Sequence, residues 1–425
     1  MWLLDKMLRR LIREGRLVIT DHDGKVYEYG PGDGEAIAVR LTDKDAALHI
    51  AKDPRMGAGE AYTDGRLVVE PPHDIRDLVL FIMAQANRGG GSLDAKGFLR
   101  KSVDRLAARL DQINSRRQAS KNAVHHYGLT RQFYELFLDE DRQYSMGYYR
   151  DPANSLERAQ IDKKALVAAK LRLGPGMRVL DIGCGWGGLG LFYNKHYGCE
   201  VLGVSLAPDQ VAFANERARA AGVSGKVRFE LIDYRDIKGQ FDRISSVGMF
   251  EHVGRGNFDE YFAKTNELLA DDGVMLTHTI GLTSPPPGVT DKWSRTYIFP
   301  GHYLPSLSEM VGALERTRWE VGDVEILRYH YAHTLAEWYR RTTLHEKEIT
   351  ALYDARMFRM WQFYLVGAEQ SFRGTGMVNF HIQSMKRRDA VPMTRDYISA
   401  ETARLSALEE EPEWHLAPKA REAAE

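Results

Sequence analysis

The stretch that most constrains this chain is Arg178-Val-Leu-Asp-Ile-Gly-Cys-Gly-Trp-Gly-Gly-Leu189. Val179 to Ile182 has the length and apolar character of a short buried strand. Gly183, Gly185, Gly187 and Gly188 follow at once, and Leu189 to His196 reads as a helix. A strand, a glycine turn and a helix make a ligand-binding corner, because residues without a Cβ let the backbone turn tightly and approach a ligand. Asp181 leads the glycines from inside the strand end, and Trp186 interrupts them, unlike a G-x-G-x-x-G dinucleotide turn. That arrangement suits a ligand met without phosphates, such as the amino acid end of S-adenosylmethionine. A nucleotide phosphate and a purely structural turn are the competing readings.

Bulk properties exclude several classes. A length of 425 residues implies two domains or one enlarged domain. A net charge of −1 gives no global pull toward nucleic acid. Cys184 and Cys199 are too few and wrongly spaced for a zinc set, so no metal site is expected, and they fit a reducing cytoplasm. No apolar run approaches the ~20 residues of a membrane span. The opening residues do not form a signal peptide, because Asp5 breaks a short apolar core.

Along the chain, residues 2–13 form an amphipathic helix with Leu3, Leu4, Met7, Leu8, Leu11 and Ile12 on one face. Lys6, Arg9, Arg10 and Arg13 supply the other face. This describes an interfacial membrane helix as well as a helix docked on its own domain, and both readings stand. Residues 16–70 read mainly as short strands separated by Asp23-Gly24 and by the Gly30–Gly34 turn, with a helix over 43–51; 56–62 falls among the strands. A further helix runs from Asp74 to Asn87. The domain boundaries expected are a small α+β domain over 1–92, a basic helical linker over 93–122, a catalytic domain over 123–392 and a frayed polar tail over 393–425. Between Val179 and Thr279, five strands alternate with helices, which implies a parallel, doubly wound sheet with its ligand at the strand C-termini.

Candidate site residues follow from those strand ends. Ser205 and Gln210, after the second strand, can hydrogen-bond a ribose, whereas Asp209 suits the first turn of the next helix. Asp233 and Tyr234, after the third strand, fit an adenine edge, with Tyr234 offering a flat apolar face. Glu251 ends the fourth strand, a usual place for chemistry in an open sheet. His252 reads as satisfying backbone, and His125 and His126 as structural or solvent-facing. Tyr144, Tyr148, Tyr149, Phe250, Trp293, Trp361 and Tyr364 are candidates for an apolar, aromatic lining of the kind a carbocation favours.

Four segments together carry a resemblance: Tyr144-Ser-Met-Gly-Tyr-Tyr149, Leu180-Asp-Ile-Gly-Cys-Gly-Trp-Gly187, Gly203-Val-Ser-Leu-Ala-Pro-Asp-Gln210 and Phe250-Glu-His-Val-Gly254. Over residues 115–390 the chain resembles the cyclopropane-fatty-acyl-phospholipid synthases and the related mycolic acid cyclopropane synthases. The N-terminal part resembles the small lipid-binding domain of the phospholipid-acting members. The resemblance implies a class I methyltransferase (Rossmann-like) α/β fold. It implies an enzyme that adds a methylene from S-adenosylmethionine across the cis double bond of an unsaturated phospholipid acyl chain, with bound bicarbonate as base. The cofactor set expected is Tyr144, Ser145, Asp181, Gly183, Gly185, Ser205, Leu206, Gln210, Asp233 and Tyr234. Matched motif by motif, the bicarbonate pocket would hold Glu251, His278, Ile280 and Tyr331. Met146 stands where the family usually has cysteine, and a thioether donates no hydrogen bond. The implied partner is a phospholipid bilayer, met from the cytoplasmic side of the inner membrane; a homodimer is left open. The competing functions are methylation of the same alkene without ring closure, methylation of a small molecule, and lipid binding without catalysis.

Overall fold

The computed structural model describes residues 1–32, 34–87, 129–284, 291–299 and 301–416. The expected 93–122 linker, His125 and His126 lie outside these residues. The described chain divides into two units. One takes the residues up to 87 with Asp291–Ile298 and Leu335–Thr375; the other takes 129–284, Phe299–Thr334 and 376–416.

The first unit is built on a four-stranded sheet of β1 (Leu17–Thr20), β2 (Val26–Tyr29), β3 (Ile37–Leu41) and β4 (Leu67–Val69), in the order β2-β1-β3-β4. β1 and β2 form an antiparallel hairpin across Asp23-Gly24, while β1 and β3 run parallel. Helix Trp2–Leu11 turns Leu4, Leu8 and Leu11 inward, so the stripe read from the sequence packs on its own unit. Trp2 and Leu3, 75% and 41% exposed, are left over at the helix start. Residues 56–62 are helical, within Pro54–Thr63, and not a strand. Pro54 opens that helix, where its missing N–H costs nothing; two glycines in the segment masked this signal. Helix Ala355–Gly374 packs against helices Pro54–Thr63 and Ile75–Asn87. Arg76 donates through Nε and Nη2 to the fully buried Glu369, each at 2.8 Å. Tyr62 donates to Gln362 at 2.8 Å, and Tyr339 to Asp74 at 2.9 Å. The expected boundary at 92 therefore does not close this unit: helices far along the chain supply part of its core.

The second unit carries a seven-stranded sheet of β5 (Arg178–Ile182), β6 (Glu200–Ser205), β7 (Val227–Leu231), β8 (Phe241–Val247), β9 (Leu269–Leu282), β10 (Glu320–Leu327) and β11 (Met377–Met385). The order is β10-β11-β9-β8-β5-β6-β7, and β5 to β9 pair in parallel. β11 is antiparallel to both neighbours. The winding direction reverses at β5, between β6 and β8, which opens a crevice beyond the strand C-termini. One face buries Leu180, Ile182, Ile244 and Met275 with Tyr261, Phe262 and Leu314. The other buries Val179, Val201 and Leu276 with Ala165, Leu189 and Phe192.

Helix Leu156–Lys170 covers that second face. Ser155 caps it, accepting from Arg158 N at 3.0 Å, and every residue but Arg158 is buried. Outside it lies helix Asp396–Ala407, a correction to the expected frayed tail. Ile398, Thr402 and Leu405 form an i, i+4, i+7 stripe in an otherwise polar stretch, and all are buried. His196 pairs with Glu409 at 2.6 Å and pins the end of the segment. Leu405→Ala should therefore cost about 2–5 kcal/mol of stability. A urea titration reads this directly; a midpoint equal to that of the parent chain would return the segment to a dangling tail.

Candidate active site

At the corner itself, Gly183 and Gly187 take left-handed φ of 83° and 82°. A Cβ on Gly188 would stand 2.2 Å from Asp141 Oδ2, so the loop before Tyr144 lies directly on the helix start. Asp141 accepts from Lys164 at 2.6 Å, from Gln143 at 3.0 Å and from Arg217. Burial opposes ionisation there, yet Lys164 and Arg217 hold the Asp141 carboxyl well below the usual carboxylate range. This charge cluster fastens the 139–145 loop over the glycine turn.

The turn, that loop and the ends of β5, β6, β7 and β8 enclose one cavity. Its walls include Tyr144, Ser145, Asp181, Gly183, Gly185, Ser205, Leu206, Gln210, Asp233 and Tyr234. They also include Arg142, Gln143, Arg235 and Met249, which sequence reasoning passed over, and His252, which it had set aside as satisfying backbone. Gln143 and His252 adjoin chosen positions, and that adjacency was the one available signal. Asp181 is 2% exposed. Its Oδ1 accepts from Ser245 at 2.8 Å, and its Oδ2 is buried with no hydrogen-bond partner. Burial pushes its carboxyl up to about 6. An orphaned carboxylate oxygen facing a cavity fits a cationic donor such as an ammonium. Ser205 Oγ accepts from Ala207 N at 3.2 Å, and Gln210 is buried in the first turn of helix Pro208–Ala220. Asp233 is less open than its sequence position implies: Arg235 clamps its carboxylate through Nε at 2.9 Å and Nη2 at 2.6 Å. Tyr234 stands edge-on to Tyr261, 5.3 Å between centroids.

Glu251 and Ile280 meet beyond the end of β8. Glu251, in a short turn Phe250–His252, is 2% exposed. Its Oε1 accepts from Ile280 N at 2.6 Å, while Oε2 is buried with no hydrogen-bond partner. Burial pushes this carboxyl up to about 7. Met146 is fully buried. Its neighbour Gly147 donates to Thr334 Oγ1 at 3.0 Å, and Tyr149 N donates to His330 Nδ1 at 3.1 Å. The 146–149 segment thus lies along the start of helix His330–Leu344, which carries the buried Tyr331.

His278 is held differently. Its Nδ1 meets His381 Nε2 at 2.9 Å and its Nε2 meets Asn379 Nδ2 at 3.1 Å, so both ring nitrogens are engaged on β11. Burial, with Lys163 and Lys170 nearby, pushes its imidazole down to about 3, and it stays neutral. Glu251 and Ile280 are brought together directly; His278 is spoken for by β11. Among the aromatics, Tyr144 lines the cavity. Phe250 is core, packed on Phe258 at 4.6 Å and Phe262 at 5.3 Å. Trp293, Trp361 and Tyr364 belong to the first unit.

Residues 114–382 match the family model described as mycolic acid cyclopropane synthetase. The chain belongs to this family. It is 36% identical to a probable fatty acid methyltransferase of Pseudomonas putida, over 84% of this chain and 89% of that one. It is 35% identical to the cyclopropane-fatty-acyl-phospholipid synthase of Escherichia coli K12, over 79% of this chain and 84% of that one. Among solved structures it resembles the cyclopropane synthase MmaA2 of Mycobacterium tuberculosis, with a TM-score of 0.60 and 30% identity, over 62% of this chain and 97% of that one. Mycolic acid cyclopropane synthase CmaA1, solved with S-adenosylhomocysteine and CTAB, gives the same TM-score of 0.60 at 31% identity and the same coverage of 62% and 97%. As a cyclopropane synthetase family member, the chain is an S-adenosylmethionine-dependent enzyme, a methyltransferase or cyclopropane synthase, on the expected α/β fold.

For such an enzyme the Asp181 carboxylate should govern cofactor affinity. Asp181→Asn should weaken S-adenosylmethionine binding by about 1.5–3 kcal/mol and leave the fold intact. In the parent chain only the ionised carboxylate attracts an ammonium, so affinity should fall as pH drops through about 6. The asparagine variant should lack this acid limb. Calorimetric titration at several pH values reads both effects, and unchanged affinity removes Asp181 from the cofactor site.

Proposed function

We propose that this enzyme takes a methylene from S-adenosylmethionine, adds it across the double bond of an unsaturated phospholipid acyl chain, and closes a cyclopropane ring. The observation that carries the reading is a pair of buried carboxylates, Asp181 and Glu251, at neighbouring strand ends, each with one engaged and one unpartnered oxygen. When bound, S-adenosylmethionine supplies the electrophilic methyl and bicarbonate the base. Asp181 takes the ammonium, Ser205 and Gln210 the ribose, and Tyr234 the adenine face. Tyr144 and Ser145 close the cavity over them, with Gly183, Gly185 and Leu206 at its walls. The alkene π pair attacks the methyl carbon, the C–S bond breaks, and a cation is left on the acyl chain. Tyr144, on the cavity wall, offers a ring face that favours that charge over water, whereas Tyr148 packs beside Leu166, Ala169 and Ile398 and Tyr149 against His333. Loss of a proton from the new methyl then closes the ring.

The bicarbonate fit rests on Glu251 Oε2, an acceptor in want of a hydroxyl donor, with Tyr331 and Ile280 nearby in the assignment. His278 adds no free nitrogen, because Asn379 and His381 hold both. Met146 adds no donor. These two facts support a second reading, methylation without ring closure. The two products are isomers that both carry one added CH₂, so mass alone does not separate them. Lipids from cells with this protein should carry an added CH₂ that lipids from cells without it lack, with cyclopropyl proton resonances by NMR. Met146→Cys should raise the ratio of ring to branched alkene if the missing donor limits the base. A parent chain that makes only branched alkene, with the ring appearing in the cysteine variant, would promote the second reading.

Among the described residues no helix is long and apolar enough to cross a membrane. The reading has the enzyme working at the cytoplasmic surface of the inner membrane. Exposed Trp2 and Leu3, beside the exposed Lys6, Arg10 and Arg13, support a contact with an anionic phospholipid bilayer. Trp2→Ala with Leu3→Ala should weaken binding to anionic vesicles severalfold and leave cofactor affinity unchanged. Co-sedimentation measures the first and calorimetry the second; equal vesicle binding by the variant would move the membrane contact elsewhere.

A further inference from the structure

Helix Leu156–Lys170 buries three lysines, and they are not alike. Lys164 pairs with Asp141 at 2.6 Å, and Lys170 pairs with Glu325 at 2.6 Å and Asp323 at 3.4 Å. Lys163, 0% exposed, has no ion pair among the described residues. Its Nζ donates to Ser145 Oγ at 2.9 Å and to Gln143 Oε1. Both acceptors line the cofactor cavity, and Lys163 itself does not. From the same helix Gln160 Nε2 donates to the Ser145 carbonyl at 2.9 Å. Burying an ammonium without a directly paired anion is costly, and a neutral side chain could hold two neutral acceptors at less cost. The charge therefore calls for a use.

We infer that Lys163 is a positioning residue for S-adenosylmethionine: it tethers Gln143 and Ser145 at the cavity wall and serves as the counter-charge of Asp181. This rests on the reading that Asp181 takes the ammonium of the cofactor. The groups that act on Lys163 are Asp139 and Asp141 from the loop, Lys164 from its own helix and Asp181 from β5. His278 on β9 and His381 on β11 feel its charge, and burial keeps both neutral. Around Asp181 stand Ser245, Tyr193 and Cys184; burial pushes the pKa of the Tyr193 hydroxyl and the Cys184 thiol well above their ordinary values, so neither ionises at neutral pH. Lys163 is then the one cation that offsets the burial of Asp181 in the described structure. The influence is mutual. Burial pushes the Lys163 ammonium down to about 7, against the pull of Asp139.

The sign follows. Without the Lys163 charge, the Asp181 carboxyl should rise further. A larger share would be protonated at pH 7 and unable to receive an ammonium. Lys163→Met removes charge and tether, whereas Lys163→Gln keeps a donor and removes only the charge. Titration calorimetry with S-adenosylhomocysteine, from about pH 5.5 to 8.5, should show affinity about tenfold lower at pH 7 in both variants. The acid limb of the affinity profile should move to higher pH in both. In the background of Asp181→Asn, Lys163→Gln should produce no shift of the limb. A limb unmoved in either folded variant overturns the proposal, as does failure of both to fold, which would make Lys163 structural. If Asp181→Asn alone leaves affinity unchanged, the cofactor reading fails first, and the two failures are told apart.

Discussion

The second unit depends on keeping a carboxylate ionisable in the dry end of a parallel strand. Asp181 is buried, and a lone charge there would neutralise by taking a proton. Its position in the register answers this. Ser245 lies directly opposite on β8 and supplies one hydrogen bond, while Gly203 opposite on β6 adds no side chain. The remaining oxygen is left toward the cavity. Against the burial that raises the Asp181 carboxyl, Lys163 acts to lower it from the covering helix, and Lys164 and Arg217 pair with Asp141 in the loop over the turn. The helix Leu156–Lys170 is therefore an electrostatic element as much as a packing one.

This explains why the helix looks unpromising in sequence. An amphipathic surface helix shows a polar face to water, but here Asp162, Lys163, Lys164 and Lys170 are all buried. Its outer side is covered by the helix Asp396–Ala407, whose own stripe of Ile398, Thr402 and Leu405 is thin against a polar background. Each helix hides the signal of the other. Charged residues of the first helix become interior once a second helix is laid over them.

The core of the sheet was legible because β5 to β9 alternate with helices and their buried parts include apolar runs such as Val179 to Ile182. The cofactor cavity was legible for the same reason: the strand C-termini of a doubly wound sheet converge, so residues chosen there share one wall. What was not legible depends on contacts distant in sequence. Glu369 and Gln362 sit far along the chain from their partners Arg76 and Tyr62, so no local pattern could assign their helix to the first unit. The two nitrogens of His278 meet β11, and only the pairing of His278 with His381 in register makes that contact visible. Phe250 looked like a lining residue because it precedes Glu251; the turn Phe250–His252 sends the two side chains to different surroundings.

The same turn frames the question of product. In the proposed reaction, attack on the methyl needs only a placed sulfonium and an apolar path for the alkene, demands assigned to the β5 and β6 ends. Ring closure would add one more, removal of a proton from a specific carbon, assigned to the β8 and β9 ends. Glu251 and Ile280 join these strands through a single 2.6 Å hydrogen bond, which orients one carboxylate oxygen and leaves the other unpartnered. An anion placed beside that oxygen gains a partner only through its own hydroxyl, and it is repelled when Glu251 is ionised. Burial pushes the Glu251 carboxyl up to about 7, which lessens the repulsion. In the proposed reaction the two halves of the chemistry fall on different strand pairs. Substitution at Met146, in the segment along the start of helix His330–Leu344, would on that reading redirect the product while the β5 and β6 ends continue to bind and deliver the methyl group.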